Sequence, residues 1–369
     1  MQYDPYYSRE AIYIAGPECF YLNGYPHWNA LRARAEMFGF QVTMPSDAEV
    51  KLDHEDLRDN AKAIYQNCWR SMSKTTAIIC DLEFYRGPDV DGGSIFEVGM
   101  AFARGARCYG YTRDLRDTRF KYQGYSLNRD GAYDRKGRRL PFADLPFSPN
   151  VVGACKLVEG DFDCVLHTLM VDLAEERKTG VRVRQPLPDT PSLPKTDRPV
   201  ILLAGPQRWD NDAAERYAAM RAICEAKGLE VLTPMDPLPG EAKSTGDPWV
   251  DGYRQFCRNQ RHVRDCDLVL ADLNDFHGWE PDADTSFECG MAVQLGKKVY
   301  GYMDQTGRMI DRVPNFGPDH EFRDHCGCNV ENFDYPINLM FSASMPIFEG
   351  KFEAALELAL ADYLSGQKG

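Results

Sequence analysis

Short apolar runs and amphipathic stretches alternate along the chain. Residues 11–15 form a continuous apolar run that ends at Gly16-Pro17, which is typical of a buried strand. Residues 26–39 then place apolar side chains at helical spacing and stop at Gly39, as an amphipathic helix does. The pattern continues with strands predicted over 41–44, 76–80 and 107–111, and helices over 54–73, 93–104 and 161–176. Strands separated by helices predict parallel βαβ units in an open, doubly wound α/β sheet.

This pattern occurs twice. Residues 76–113 and 267–303 each contain an apolar run ending in Asp, an aromatic-Gly loop, a second acid, and Phe-Glu-x-Gly-Met-Ala. Each copy also has an Ala-Gly-Pro sequence at the end of its first apolar run. The residues that correspond are Asp81 with Asp272, Asp91 with Asp282, and Glu97 with Glu288. The copies lie much farther apart than the ~20–50 residues of a solenoid repeat, so the chain is a domain duplication.

The duplication sets the domain organisation. We predict a first domain over 1–176, a Pro-rich linker over 177–198 and a second domain over 199–369. The linker has four prolines and few large apolar residues, so we expect an extended, semi-rigid tether. With 369 residues, the chain is long enough for each domain to bury its own core.

Composition limits the classes of molecule that are expected to bind the protein. The formal net charge of −13 argues against a nucleic acid polymer or an anionic membrane, which both favour basic surfaces. There is no apolar run of membrane-spanning length and no signal-peptide pattern at the start. The cysteines lie mostly in apolar runs, as reduced thiols do in a cytoplasmic enzyme. Cys326-Gly-Cys328 lacks the usual spacing of a zinc-binding pair, so we expect no metal.

Three acids are predicted to meet at one edge of the first sheet. Asp81 ends the third strand, Asp91 follows in the next loop, and Glu97 lies near the start of the next helix. Gly16 follows the first strand, and ligands of such sheets bind outside the carboxyl ends of the strands. A phosphate site would add a Lys or Arg, which these motifs lack. We therefore interpret 91–94 as a tight helix entry with Ser94 as the N-cap.

Carboxylates around a sugar carbon are typical of glycosidic bond cleavage. One attacks the carbon and forms a glycosyl ester, while another manages the proton of the leaving group. Glu97 is the candidate nucleophile, since the positive end of its helix favours the ionised form. Tyr13 is placed to orient it, and Asp81 or Asp91 to protonate a leaving base. The alternative is structural: the aspartates cap loops and Glu97 is a satisfied buried side chain.

The motifs resemble those of the nucleoside 2-deoxyribosyltransferase family. The resemblance rests on Ala-Gly-Pro, Asp-Leu after the third strand, Gly-Pro-x-x-Asp-x-Gly-Ser-x-Phe-Glu-x-Gly and a later Asn-Leu-Met, and it covers both copies. It implies a flavodoxin-like fold and transfer of 2-deoxyribose between nucleobases through an ester on Glu97. It also implies that Asp81 and Asp91 contact or protonate the base, that Tyr13 positions Glu97, and that no metal or organic cofactor is used.

The resemblance further implies a site shared between two domains, because the family's Asn and Met come from a neighbouring subunit. The second copy has Asn338 and Met340, whereas the first keeps only Asn150. We therefore predict an intramolecular pseudo-dimer with one intact composite site. Its residues are Tyr13, Asp81, Asp91 and Glu97, with Gly16, Phe20, Gly93, Asn338 and Met340 binding substrate.

The second site is predicted to be impaired. It consists of Asp272, Asp282 and Glu288 with Asn150. It has Leu202 in place of Tyr13 and Asp284 in place of Gly93, and the additional acid should weaken Glu288 as a nucleophile. Two working sites with relaxed contacts are the alternative.

Two rival functions stay open at this stage. Water could intercept the same ester, giving a 2′-deoxynucleoside or nucleotide hydrolase, or the fold could serve as a non-catalytic nucleotide sensor. The expected partners are 2′-deoxynucleosides and free nucleobases, with the protein a monomer or a trimer of pseudo-dimers. Insertions at 117–145, which is basic and Tyr-rich, and 237–248 are expected to cover the sites.

Overall fold

Two five-stranded parallel sheets, one in each repeat and each flanked by helices, form the protein. The computed structural model describes residues 7–45, 47, 51–122, 126–128, 131–133, 137, 139–140, 142–183, 192–193 and 197–366. We call the described residues up to 183 unit one and those from 197 onward unit two. The predicted α/β fold with tandem parallel-sheet domains is confirmed.

The elements of unit one follow the predicted alternation. Its strands are β1 (Ala11–Ala15), β2 (Gln41–Thr43), β3 (Ala77–Asp81), β4 (Arg107–Thr112), β5 (Ser126–Asn128), β6 (Gly131–Tyr133) and β7 (Lys156–Glu159). Its helices are α1 (Gly24–Met37), α2 (Leu57–Met72), α3 (Gly92–Ala103), α4 (Thr118–Lys121), α5 (Pro149–Ala154) and α6 (Phe162–Thr179). The short antiparallel hairpin of β5 and β6 lies within the predicted insertion at 117–145.

Unit two repeats this order. Its strands are β8 (Val200–Ala204), β9 (Glu230–Leu232), β10 (Leu268–Asp272), β11 (Lys298–Met303) and β12 (Ile347–Glu349). Its helices are α7 (Ala213–Ala226), α8 (Pro248–Asp265), α9 (Ala283–Gln294), α10 (Met309–Arg312), α11 (Leu339–Ser342) and α12 (Phe352–Gly366). Among the helices that the structure describes, none combines the length and the apolar character needed to cross a membrane.

Both sheets have the strand order of a flavodoxin-like fold. The order is β2-β1-β3-β4-β7 in unit one and β9-β8-β10-β11-β12 in unit two, with every neighbouring pair parallel. The chain reverses its direction of winding between β1 and β3, and between β8 and β10. Ligands of such sheets bind at this switch point, where the strands end. The loops after β1 and β3 therefore define where a site is expected.

The predicted domain boundaries stay a prediction. Half of the linker proposed over 177–198 lies outside the described residues, and α6 continues into it as far as Thr179. The helix ends there because Gly180 takes the left-handed conformation, with φ at 72°.

The two units share one hydrophobic core, which centres on the contact between α3 and α9. A Cβ added to Gly99 of α3 would overlap the carbonyl oxygen of Phe287, and one added to Gly290 of α9 would overlap that of Phe96. These glycines therefore let the two helix backbones touch. Met100 and Met291, which follow them in the repeated motif, are fully buried in the core, as expected.

Loops and short helices extend this contact on both sides. Helix α5 of unit one packs against α8 of unit two, and α11 of unit two packs against α2 and α3. The aromatic-Gly loops also meet, since a Cβ added to Gly87 would lie 2.7 Å from the Cα of Gly278. From the same loop, Arg86 forms buried ion pairs with Glu280 at 3.5 Å and Asp324 at 3.1 Å in unit two. The units thus form the predicted pseudo-dimer.

We predict that Gly290→Ala destabilises the whole protein. The methyl group would force α3 and α9 apart, and such overpacking costs about 1–3 kcal/mol. Thermal unfolding should show a melting temperature lowered by several degrees. The control is Gly307→Ala, at an exposed glycine with open space around the added Cβ, which should leave the melting temperature unchanged. Equal melting temperatures for the two variants would contradict the close helix contact.

Candidate active site

Tyr13 and Glu97 form the central contact of the site in unit one. Tyr13 is in the middle of β1 and fully buried, and its hydroxyl donates a 2.5 Å hydrogen bond to Oε1 of Glu97 on α3. Tyr13 is the only described residue that donates a hydrogen bond to this carboxylate, so the other oxygen, Oε2, accepts none. The sheet thus holds one oxygen of the acid and leaves the other available.

Asp91 caps the helix that carries Glu97. Its Oδ2 accepts hydrogen bonds from the backbone nitrogen and the hydroxyl of Ser94, at 2.7 and 2.6 Å. The prediction that Ser94 is the N-cap is therefore wrong: the carboxylate occupies that position, and Ser94 donates to it. The other oxygen of Asp91, Oδ1, is buried with no hydrogen-bond partner among the described residues.

A cavity of about 460 Å³ lies over these acids and takes its walls from both units. This volume is in the usual range for a small-molecule site. Seven of the predicted residues line it: Gly16, Phe20, Asp91, Gly93 and Glu97 from unit one, and Asn338 and Met340 from unit two. Tyr13 lies beneath Glu97, and Asp81 is not among the lining residues.

Asn338 reaches unit one at Gly93. A Cβ on Gly93 would lie 2.7 Å from the amide nitrogen of Asn338, so only glycine leaves room for that side chain. The side-chain oxygen of Asn338 accepts a 2.9 Å hydrogen bond from the backbone nitrogen of Met340, and Asn338 thereby caps the N-terminus of α11. The predicted arm of unit two is thus held rigidly at the cavity.

Phe20 and Asp81 occupy different parts of the site. The Phe20 ring lines the cavity and stacks on Tyr85, with centroids 5.6 Å apart. Asp81 lies behind Gly16, beside the buried carboxyl group of Glu18. Its carboxylate accepts a 2.8 Å hydrogen bond from the backbone nitrogen of Glu83.

Burial governs the charge of Glu97. Loss of solvent raises the pKa of Glu97 to about 8, although the Tyr13 hydrogen bond opposes the shift. The helix end is expected to favour the ionised form of Glu97, but burial acts in the opposite direction and raises the pKa. The dipole effect of a helix end is about 0.3–1 kcal/mol, which is smaller than the cost of burying a charge. Burial also raises the pKa of Asp91.

Two further acids lie at the site that the sequence motifs did not identify. Glu18 is fully buried behind Gly16, accepts a 3.0 Å hydrogen bond from Tyr111, and has one oxygen without a partner among the described residues. Glu331 of unit two lines the cavity and accepts a 3.1 Å hydrogen bond from the backbone of Leu339. Burial raises the pKa of both to about 8, and the nearby charge of Asp81 adds to the shift of Glu18.

In unit two, an arginine is paired with the glutamate that corresponds to Glu97. The two terminal nitrogens of Arg208 donate 2.7 Å hydrogen bonds to the two oxygens of Glu288, and both side chains are buried. Asp284 and Asp282 lie 3.7 and 4.0 Å from the same guanidinium. The sequence predicts impairment by the charge of Asp284, whereas in the structure Arg208 lies beside Asp284 as a counter-ion and engages both oxygens of Glu288.

Alignment of the Ala-Gly-Pro loops places Arg208 opposite Cys19 of unit one. The sequence shows that Arg208 replaces a cysteine, but it does not show that the Arg208 side chain points towards Glu288. The remaining predicted residues of this site come together: Asn150 donates to Glu288 at 3.3 Å, Asp282 caps α9, and Asp272 is hydrogen-bonded by Gln207. Trp209 donates a 2.8 Å hydrogen bond to Asp282.

The described residues contain no group of three or more His, Cys, Asp or Glu side chains arranged to hold a metal ion. The acids of the site are instead held by Tyr13, Ser94, Tyr111 and backbone nitrogens. The arrangement can present one carboxylate oxygen to a bound molecule, with protonated acids close by.

We predict that stability falls as the pH rises, and that Glu18→Gln reduces this fall. The pKa of Glu18 is about 8 in the folded protein and about 4.3 in an unfolded chain. The folded state therefore binds the proton more tightly, and this stabilisation is present below pH ~4.3 and lost as the pH rises through about 8.

Gln207 occupies the same position in unit two, so glutamine fits the fold there. The melting temperature measured from pH 5 to 9 should decline less steeply in Glu18→Gln than in the wild type. Glu353→Gln, at an exposed position on α12, should keep the wild-type slope. Equal slopes for all three proteins would contradict a protonated, buried Glu18.

The comparisons with known proteins agree with this geometry. The family model described as nucleoside 2-deoxyribosyltransferase matches residues 12–147 and again 201–340, one match in each unit. A solved 2-desoxiribosyltransferase from Leishmania mexicana is 30% identical, over 43% of this chain and 95% of that chain, with a TM-score of 0.34. No curated protein sequence matches the chain.

Two other solved structures are similar over most of the chain. A glycotransferase of kitacinnamycin is 7% identical, over 96% of this chain and 89% of that chain, with a TM-score of 0.26. A solute-binding protein of an ABC transporter from Agrobacterium vitis is 10% identical, over 97% and 90%, with a TM-score of 0.19. Neither likeness bears on function. The two family matches together cover most of the chain, and this protein belongs to the nucleoside 2-deoxyribosyltransferase family as a tandem duplication of its domain.

Proposed function

We propose that unit one transfers 2-deoxyribose from one nucleobase to another through an ester on Glu97. The observation that carries this proposal is the Tyr13–Glu97 hydrogen bond on the floor of a cavity of nucleoside size. Family membership supports the substrate class, which is 2′-deoxynucleosides and free nucleobases.

In the first half-reaction, the free Oε2 of ionised Glu97 attacks C1′ of the deoxyribose. The C1′–O bond forms as the C1′–N bond breaks, and the leaving base takes the electron pair of that bond. Tyr13 holds Oε1 by its hydrogen bond, so it orients the carboxylate for attack. The product is a deoxyribosyl ester of Glu97 and a base that needs a proton.

The proton comes from an acid that remains neutral at the site. Asp91 lines the cavity with an oxygen that lacks a partner among the described residues, and burial raises its pKa. Asp81 and Glu18 lie behind Gly16, where burial raises their pKa values to about 6 and about 8. We assign proton donation to Asp91 and a supporting role to the Asp81–Glu18 pair.

In the second half-reaction, a nitrogen of another base attacks C1′, and the ester bond breaks to release the Glu97 carboxylate. The proton lost by the incoming base returns to Asp91, so no net proton is consumed. Asn338 and Met340 close the cavity from unit two and limit the access of water to the ester. Exclusion of water favours transfer over hydrolysis.

Free nucleosides fit this cavity better than nucleotides do. Arg323 is the cation among its described lining residues, and its nitrogens are bound by Glu321 at 2.7 Å and by the carbonyl oxygens of Phe20 and Gly327. Glu97 must be ionised to attack C1′, and its carboxylate would then repel a phosphate in the same cavity.

Glu97, and not Glu288, is expected to carry the activity. We predict that Glu97→Gln abolishes base exchange between a 2′-deoxynucleoside and a different free base. The control is the double variant Arg208→Gln/Glu288→Gln, which removes both partners of the bidentate ion pair together. Burial raises the pKa of the neighbouring Asp284 to about 8, so this acid can take up a proton when the arginine is removed. It should keep wild-type exchange, measured by chromatography of the products.

Mass spectrometry of the wild type with a slowly transferred analogue should show one deoxyribosyl group per chain. Two groups per chain, or loss of exchange in the double variant, would contradict a single working site. Release of free base with no new nucleoside would instead support the hydrolase, and no turnover by the folded wild type would support the sensor.

We predict that Tyr13→Phe shifts the pH dependence of exchange. Glu97 must be ionised to attack, so kcat/KM should rise with pH through about 8, the pKa of this carboxyl. The Tyr13 hydrogen bond lowers that pKa, so its removal should move the rising limb to higher pH and reduce kcat/KM at pH 7 about 10- to 100-fold.

Tyr109→Phe is a matched control, because Tyr109 also donates a buried 2.7 Å hydrogen bond to a carboxylate, that of Asp172, but lines no part of the cavity. It should leave the pH profile unchanged. An unshifted rising limb in Tyr13→Phe would contradict the positioning role of the phenol.

A further inference from the structure

The cavity of unit two persists although its nucleophile is engaged. It measures about 550 Å³ and is lined by Arg208 and Trp209, the residues that correspond to Cys19 and Phe20 of the unit-one cavity. The ion pair between Arg208 and Glu288 closes the floor, but the space above it is as large as that of the unit-one cavity. The unit-two cavity therefore has a volume similar to that of the unit-one cavity, although both oxygens of Glu288 are engaged.

The charges that line the two cavities are opposite. In unit one they are Asp91, Glu97, Glu321 and Glu331, with Arg323 as the cation. In unit two they are Arg119, Arg139, Arg208 and Arg258, with Asp144 and Asp251 as the acids. Four arginines around one cavity are unexpected in a chain with a net charge of −13. The unit-two cavity is therefore suited to an anion.

Two of these arginines have donors available. The nearest acid to Arg258 is Glu241, at 3.7 Å, which is too long for a hydrogen bond, and the Nε of Arg258 is buried without a partner among the described residues. Arg139 is exposed at the rim and forms no ion pair with a described residue. In contrast, Arg208 is held by Glu288 and Arg119 is paired with Asp144.

The acids at this cavity are already engaged. Asp251 accepts hydrogen bonds from Ser244 and from the backbone nitrogens of Thr245 and Gly246, at 2.9 and 3.1 Å for the latter two. Asp144 is paired with Arg119. A bound anion would thus meet the free donors of Arg139 and Arg258 rather than an unpaired carboxylate.

Aromatic side chains lie beside the arginines. Trp209 and Phe142 both line the cavity, with their rings edge to face at 5.2 Å between centroids. Phe142, Arg119 and Arg139 belong to the insertion at 117–145, which has more Lys and Arg than Asp and Glu. The described residues of this basic insertion therefore line the unit-two cavity, and the function proposed for unit one does not use them.

We propose that the unit-two cavity is a second, non-catalytic ligand site that binds a nucleoside 5′-monophosphate. Arg139 and Arg258 bind the phosphate by charge-assisted hydrogen bonds, and Trp209 packs against the planar base. The site lies apart from Glu97 and is independent of the exchange reaction. Its ligand is the 5′-phosphorylated form of a nucleoside, the class of molecule on which unit one is proposed to act.

Calorimetric titration with 2′-deoxyadenosine 5′-monophosphate tests this site. The Glu97→Gln protein is used so that the probe is not cleaved, and Arg139→Gln/Arg258→Gln is then added. We expect at least a tenfold weaker dissociation constant in the combined variant. Arg104→Gln, at an exposed arginine that lines neither cavity, should bind as the parent does.

Two other titrants separate the sources of binding. Inorganic phosphate should compete with the nucleotide, whereas 2′-deoxyadenosine should bind equally well with or without the two arginines, because it enters the unit-one cavity. If Arg139→Gln/Arg258→Gln fails to fold, Arg139→Gln alone serves, since this exposed side chain tolerates substitution. Nucleotide binding that is absent in the parent, or unchanged in the arginine variants, would overturn the proposal. Both readouts are independent of base exchange.

Discussion

The contact between the backbones of α3 and α9 determines how the two units pack against each other. Gly99 and Gly290 allow the helices to touch, and the phenylalanines that precede the two glutamates pack in the core that both units share. One face of each helix is thereby committed to the partner unit. In unit one, the glutamate of the same Phe-Glu-x-Gly sequence, Glu97, then faces the cavity. One short motif therefore sets both the domain interface and the place of the acid.

Because the interface is fixed, residues of both units line each cavity. Asn338 fits against Gly93, and Asn150 fits against Asp284 in the equivalent place. When two such domains share a chain, each site can change independently of the other. Unit one has Tyr13 and Gly93, whereas unit two has Leu202 and Asp284 at those positions and Arg208 beside Glu288. A difference in the residues of one site therefore leaves the residues of the other in place.

Burial then decides the electrostatics of both cavities. In unit one, Glu97, Glu18 and Glu331 are removed from water and form no ion pair with a described residue, so their pKa values rise to about 8. In unit two, Arg208 supplies the charge that the buried acids need. The same fold thus produces a site whose acids hold protons and a site whose acids are paired. The first suits proton transfer and nucleophilic attack, and the second suits a structural ion pair.

The sequence by itself determined the fold and several of the residues that line the unit-one cavity. Periodicity placed β1, β3 and α3 within a residue or two of their observed ends, because short buried strands and amphipathic helices follow local patterns. The repeat and the family motif selected Glu97, Asp91, Gly93 and Asn338. Only the tertiary structure decided the charge on Glu97, the position of Glu18 and Glu331, and the engagement of Glu288 by Arg208. These depend on solvent exclusion and on contacts between residues far apart in the chain, and neither leaves a periodic signal in the sequence.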